Sequence, residues 1–405
     1  MRKNKGITLI ALIITIIILL ILVGVSVNLL IKGDLFGSAQ KAVSGTNAKV
    51  EEQQTAVDEL VGELDEVEKE IEEQEKQMNI PGTRVSENTK YIRDGKTAWI
   101  PKGFTVSGIK SEQSINKGLV IYDIPEGTTV DWSNPDSVKT KYNQFVWIPV
   151  EVKSTDTENS IASFYRSVWT ENTATGGERT TGLSTDYTEP DSTNDTADKT
   201  GIAGQITELT KSIYKYGGFY IGRYEAGSKT ERTSSSSQTA EFVVQQDKYP
   251  YNYVKWGKSM SDVSEGVVYL CNNLYSSTNT NYGATSMLCT GASWDSMLDF
   301  IKDSSHSVTD STTWGNYSNS ETYTINRGKY AVYNTSNYTL GNFQDVGNEY
   351  SKEKSTSILL TTGATERNSS KNIYDVAGNC WEWTTESSSS DFRVYRGRQL
   401  HQLWF

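Results

Sequence analysis

The chain reads as an α+β protein in three parts: an apolar N-terminal helix, an acidic helical stalk and a large β-rich head. Three observations predict it. Residues 7–31 carry no charge at all, and residues 51–76 hold twelve Asp or Glu against two Lys. From residue 83 onward, short apolar and aromatic runs of strand length are punctuated by Gly, Asn, Ser and Thr. Of the 405 residues 36% are hydrophobic, with 23 Tyr and 10 Trp, so the head has material for a packed core. Ten of the eleven net negative charges fall in residues 51–76. The nearly neutral remainder lacks the basic face that a nucleic-acid binder needs. Three cysteines (Cys271, Cys289, Cys380) are too few for a disulfide framework, and with two histidines they leave little for zinc or haem.

The uncharged run of residues 7–31 would be about 37 Å long as a helix, enough to span a bilayer. A soluble core helix of that length would carry a polar face. Arg2, Lys3 and Lys5 precede the run and only Lys32 follows closely, which predicts a single-pass topology with a cytoplasmic N-terminus and an extracellular head. A secretory signal would show a shorter apolar region and a small-residue cleavage site. The run opens on Lys5-Gly6-Ile7-Thr8-Leu9-Ile10, which resembles the type IV prepilin and pseudopilin leader. That resemblance implies a leader of residues 1–6, cut by a prepilin peptidase between Gly6 and Ile7. The family usually has Glu as the fifth residue after the cut, where this chain has Ala11. Anchoring is therefore expected ahead of filament assembly, with a minor pilin or pseudopilin subunit as the alternative.

Residues 32–80 form the stalk. Val57, Leu60, Leu64, Val67 and Ile71 follow the 3, 4, 3, 4 spacing of a coiled-coil seam, extended by Val50 and Met78. Glu dominates the flanking positions, and Gly62 weakens a helix by about 1 kcal/mol. Two readings stay open, a weak coil that makes a homo-oligomer and a single solvated helix serving as a spacer. Asn79-Ile80-Pro81-Gly82 ends the helix.

Beyond it, residues 83–141 read as a small β-rich prelude with strands within 97–106 and 117–122. Residues 144–150 read as a further strand, and Pro149 predicts that it lies at a sheet edge. The stretch 152–209 is dominated by Ser, Thr, Asp, Glu and Gly and is expected to be an insertion loop with little more than one helical turn.

Four blocks then carry a resemblance. They are Gly217-Gly-Phe-Tyr-Ile-Gly-Arg-Tyr-Glu225; Leu288-Cys-Thr-Gly-Ala-Ser-Trp-Asp-Ser-Met-Leu298, which looks like an N-capped helix with Trp294, Met297 and Leu298 on one face; Asn372-Ile-Tyr-Asp-Val-Ala-Gly-Asn-Cys-Trp-Glu-Trp-Thr384; and Phe392-Arg-Val-Tyr-Arg-Gly397. Together they resemble the formylglycine-generating enzyme family, the sulfatase-modifying factor domain, over residues 142–405. The resemblance implies an irregular α+β fold related to C-type lectins.

Its oxidase branch uses two cysteines beyond the last block, where this chain has none, and its sulfoxide-synthase branch needs three histidines, where only His306 and His401 exist. No catalytic residue is therefore expected, and Cys380 is read as a buried, inert thiol. A formylglycine-generating-type oxidase remains the alternative if the catalytic cysteines were lost with a missing C-terminus. In place of the family's second glycine and following strand, the chain reads Arg398-Gln-Leu-His-Gln-Leu-Trp-Phe405. One choice of codons in a neighbouring frame restores a family-like continuation, so a truncated or frameshifted end stands against a natural variant end.

The resemblance further implies a structural Ca2+ held by Asp375, Glu382 and the backbone oxygens of Gly378 and Cys380. Independently of it, Asp375 and Glu382 are hard oxygen donors seven residues apart across a Gly-Asn turn. A salt bridge from Glu382 to an arginine such as Arg396 is the alternative. The expected protein is a membrane-anchored bacterial cell-surface protein with a non-catalytic head for an extracellular protein or glycan ligand. Heads that resemble it also serve as the variable proteins of diversity-generating retroelements.

Overall fold

The computed structural model describes Thr55, Asp58, Val61, Gly62 and Gln77, and residues 79–181, 188–190, 200–389 and 392–397. The chain divides into two units, Met1–Gln74 and Glu75–Phe405. In the first, Thr55, Asp58, Val61 and Gly62 are helical and exposed. The expected leader with Gly6 and Ile7, the membrane span, most of the stalk and the chain end from residue 398, His401 included, lie outside the described residues. Among the described residues no helix is long and apolar enough to cross a membrane.

The second unit is a mixed α+β structure with few helices and many short strands. It opens on the hairpin β1 (Thr89–Arg93) and β2 (Lys96–Ile100). Four antiparallel strands follow, β3 (Thr105–Val106), β4 (Val120–Tyr122), β5 (Gln144–Pro149) and, after the hairpin β6 (Ser167–Thr170) and β7 (Glu178–Thr181), β8 (Gly218–Gly222). Their order in the sheet is β3-β4-β5-β8, so strands from both sides of residue 141 share one sheet. The two-residue period of a strand sorts their side chains. Val120, Tyr122, Val146 and Ile148 face a core that contains Trp294, Met297 and Ile301. Ile121 and Trp147 face a second core with Ile100, Phe104 and Ile115.

Two expectations are corrected here. β5 is not an edge strand, since it pairs with β4 on one side and β8 on the other. Pro149 is tolerated because it closes the strand, opposite Gly218. The stretch expected as a loop contains the β6-β7 hairpin and the first half of a 15-residue helix, Ile202–Tyr216. That helix starts at Gly201 with no side-chain cap, so the local start signal was missing. The helix Gly291–Ile301 does carry its expected cap, with the Thr290 side chain accepting a hydrogen bond from the Ser293 amide.

A buried polar network ties the early strands to β8. The Arg223 guanidinium lies 2.8 Å from Glu112 and donates to Gln144 at 3.1 Å and to the Tyr122 hydroxyl at 3.2 Å. Glu112 also accepts from Ser107 and Tyr122 and pairs with Lys139 at 3.2 Å. Burial pushes the Glu112 carboxyl up, but the Arg223 and Lys139 charges, together with the hydrogen bonds from Ser107 and Tyr122, outweigh it and hold it below the usual carboxylate range. At the other end of the fold, Glu382–Ser389 and Phe392–Arg396 form an irregular antiparallel hairpin, adjoining the turn that carries the candidate site.

Candidate metal centre

The turn between Tyr374 and Glu382 is built from residues that accept unusual backbone angles. Asp375, Gly378 and Asn379 all have positive φ, at 62°, 85° and 62°, a conformation that Gly adopts freely and Asn or Asp at low cost. Asn379 is the hub. Its side-chain oxygen accepts from the Asn316 side chain and the Leu360 amide, and its side-chain nitrogen donates to the Leu360 carbonyl and to Glu225 Oε2 at 2.7 Å. The second Glu225 oxygen accepts from the Cys380 amide at 3.0 Å. Glu225, Asn316 and Asn379 were given no role by the sequence, because the contacts that define them reach across 154 residues or more in one case and 63 in the other.

Gly378 is required where it stands. A Cβ there would lie 2.2 Å from the Asn316 carbonyl oxygen. Replacing it by Ala is expected to cost at least about 1–3 kcal/mol from backbone strain alone, read as a lower midpoint in urea unfolding. A Gly378→Ala midpoint equal to wild type would mean that the turn is not held as described.

The structure brings Asp375 and Glu382 into one acidic cluster with Glu225. Asp375 is fully buried, and its Oδ2 accepts from the Gly363 amide at 2.7 Å while its Oδ1 has no hydrogen-bond partner. Glu382 Oε2 is likewise buried without a partner. Among the described residues Glu382 forms no salt bridge with an arginine. Arg396 turns to Glu386, donating at 2.6 and 2.8 Å, and Arg166 joins Glu386 to Asp295. Burial pushes the Asp375 carboxyl up to about 7. Burial, and then the charges of Asp375 and Glu382, push Glu225 well above the usual range; burial and the Asp375 charge do the same to Glu382. No basic group offsets these shifts, which is the electrostatic condition that a bound cation relieves.

Oxygen atoms also converge beside Gly397. A Cβ placed on that residue would lie 3.5 Å from the Cys380 carbonyl oxygen, 3.6 Å from that of Val376 and 3.8 Å from Glu382 Oε2. Two of the expected donors, the Cys380 carbonyl and Glu382, therefore border one oxygen-lined niche, and the Val376 carbonyl was not foreseen. Among the described residues no group of three His, Cys, Asp or Glu side chains could hold a metal ion. A cation here would need backbone oxygens, which suits the hard ligand set of calcium and not the soft or imidazole sets of zinc, copper or iron.

The thiols are poor candidates for chemistry. Burial and the neighbouring carboxylates push Cys380 and Cys289 well above their ordinary range, and burial pushes Cys271 up to about 12, so thiolate is scarce at neutral pH. His306 Nδ1 lies 3.0 Å from Asp303 Oδ1, and its ring meets Trp314 edge-on with centres 5.5 Å apart.

The turn also forms part of the wall of a large cavity, about 1280 Å³, which runs past β8 and the helices Ile202–Tyr216 and Val267–Leu274. Asn379, Cys380, Trp381, Glu382 and Trp383 all line it. Comparison of the chain with protein-family models, with curated proteins and with solved structures found no match.

Proposed function

We propose that this chain is a membrane-anchored bacterial surface protein whose Glu75–Phe405 unit is a non-catalytic, lectin-like ligand-binding head organised by a structural Ca2+. The observation that carries the ligand-binding reading is the cavity of about 1280 Å³, somewhat larger than the roughly 300–1,000 Å³ of most sites for organic ligands but with the largely apolar lining such sites have. The unpartnered oxygens of Asp375 and Glu382 and the niche beside Gly397 support the calcium. The uncharged run of residues 7–31 and the lysines and arginine before it support an anchored chain with its head outside.

Protease shaving of intact cells is then expected to release the head as a soluble fragment cut near the acidic stalk. A head that resists shaving and is recovered from the cytosol would defeat this placement. Full-length chain found in sheared filaments would instead favour the minor-pilin alternative.

A further inference from the structure

The cavity wall offers no counter-charge to an anion. Its acids are Glu208, Glu225 and Glu382, and among the described residues lining it there is no lysine, arginine or histidine. Glu208 already has a partner, since Lys211 donates to it at 2.9 Å, and Glu225 and Glu382 belong to the candidate metal centre. A ligand held wholly inside the cavity would gain nothing from a negative charge.

The basic groups stand at its mouth. A groove continues from the cavity, sharing Asn88, Trp99, Tyr216 and Gly283 with it and adding Lys102 and Lys215 to the wall. Asn88 ties the two lysine-bearing segments together. Its Oδ1 accepts from the Lys102 amide at 2.9 Å, and its Nδ2 donates to the Tyr216 hydroxyl at 3.3 Å. The Lys215 ammonium lies 4.9 Å from the centre of the Tyr216 ring, and its hydrogen bond to the hydroxyl pulls that tyrosine below its ordinary range. The Lys102 ammonium donates to the Thr280 carbonyl at 3.0 Å, which uses one of its three hydrogens. Among the described residues Glu87 is the one acid on the groove wall, and it pairs with neither lysine. The rings of Trp99 and Tyr216, with centres 5.5 Å apart, border both spaces, so the passage from apolar cavity to basic groove is aromatic. A cleft rimmed by charge of one sign attracts ligands of the other.

We propose that the cavity and its groove bind an amphipathic organic anion, with the apolar body in the cavity and an acidic head, such as a carboxylate, at Lys102 and Lys215. This rests on the reading of Glu75–Phe405 as a ligand-binding head and names the class of its ligand.

The test uses the full-length chain in nanodiscs of zwitterionic lipid with excess calcium, and empty nanodiscs as the blank. Calorimetry measures the binding of three probes of matched shape, 6-phenylhexanoate, 6-phenylhexanamide and 6-phenylhexylammonium. The carboxylate is expected to bind about tenfold more tightly than the amide, the order of effect that two exposed charge pairs supply, and the ammonium more weakly than the amide. Lys102→Met with Lys215→Met should bring the carboxylate down to the level of the amide and leave the amide unchanged. Raising the salt from about 50 to about 500 mM should remove the preference in the wild type, because both lysines are exposed. An amide that binds as well as the carboxylate overturns the charge inference and leaves a ligand-binding head. A carboxylate preference that survives the double variant or high salt places the acid away from the lysines and overturns the proposal. Should the double variant lose the amide as well, the salt dependence of the wild type decides alone. Failure of all three probes removes the cavity as a ligand site and the ligand-binding reading with it.

Discussion

In 10 mM calcium the chain is expected to melt about 2–4 °C higher than in EDTA, and Glu382→Gln to shrink that gap to about 1 °C or less. Weak extracellular calcium sites have dissociation constants of about 10⁻⁴ to 10⁻³ M. At about 10 to 100 times that concentration, an ion that binds only the folded chain stabilises it by about 1.4–2.7 kcal/mol, and a unit as long as Glu75–Phe405 gains about 1.4 °C per kcal/mol. The substitution keeps the shape of the side chain but removes the anion whose Oε2 stands unpartnered beside Gly397. Equal wild-type midpoints in the two buffers would eliminate the site.

The pH dependence separates calcium from a merely structural role for these acids. Burial raises Asp375 to about 7, and Glu225 and Glu382 shift in the same direction. An unfolded chain releases such protons near pH 4, whereas the folded chain without calcium keeps them. The contribution of Asp375 to stability is therefore complete below about pH 4 and lost as pH rises through about 7, and Glu225 and Glu382 act in the same direction. In EDTA the melting temperature should fall between pH 5 and pH 8. In calcium the deprotonated cluster binds the ion, so the gap between the two buffers should widen over the same window. A gap that is constant with pH would mean that these carboxylates do not hold the ion.

The second large effect is expected from Arg223→Met. Arg223 is buried against Glu112, Gln144 and Tyr122, and removing it leaves a buried carboxylate with Lys139 as its remaining charged partner. Breaking a buried pair from one side costs about 3–5 kcal/mol, and urea unfolding of the full chain should show a loss of that order. The double variant Arg223→Met with Glu112→Gln should recover part of it, because the uncompensated charge is gone as well. A single-variant loss below about 1 kcal/mol would show that the network is not a main tie between β8 and the early strands.

The depressed Glu112 carboxyl gives this network its own pH signature. Its stabilisation is present above the ordinary carboxylate range and is lost as pH falls through the folded value. That window lies below the one set by Asp375, so the two effects separate in an acid titration.

Where a structural feature depends on neighbours in the chain, the sequence determined it. The strand periods of 97–106, 117–122 and 144–150, the Thr290 cap of the helix Gly291–Ile301 and the Asp375-to-Glu382 turn rest on two-residue alternation, a capping hydroxyl and a Gly-Asn pair. The uncharged run of residues 7–31 and the acidic run of residues 51–76 are equally local in origin. Tertiary structure decided what joins distant segments. It placed β5 inside its sheet despite Pro149, and it drew the uncapped helix Ile202–Tyr216 out of a polar stretch by burying Ile202 and Ile213. It set Glu225 against Asn379, sent Arg396 to Glu386, and shaped a partly open cavity whose wall runs from Asn88 to Tyr395. Local periodicity reports which face of an element is apolar, but not which distant face will cover it. That choice belongs to packing and to the pairing of buried polar groups, and both exist only once the chain has closed on itself.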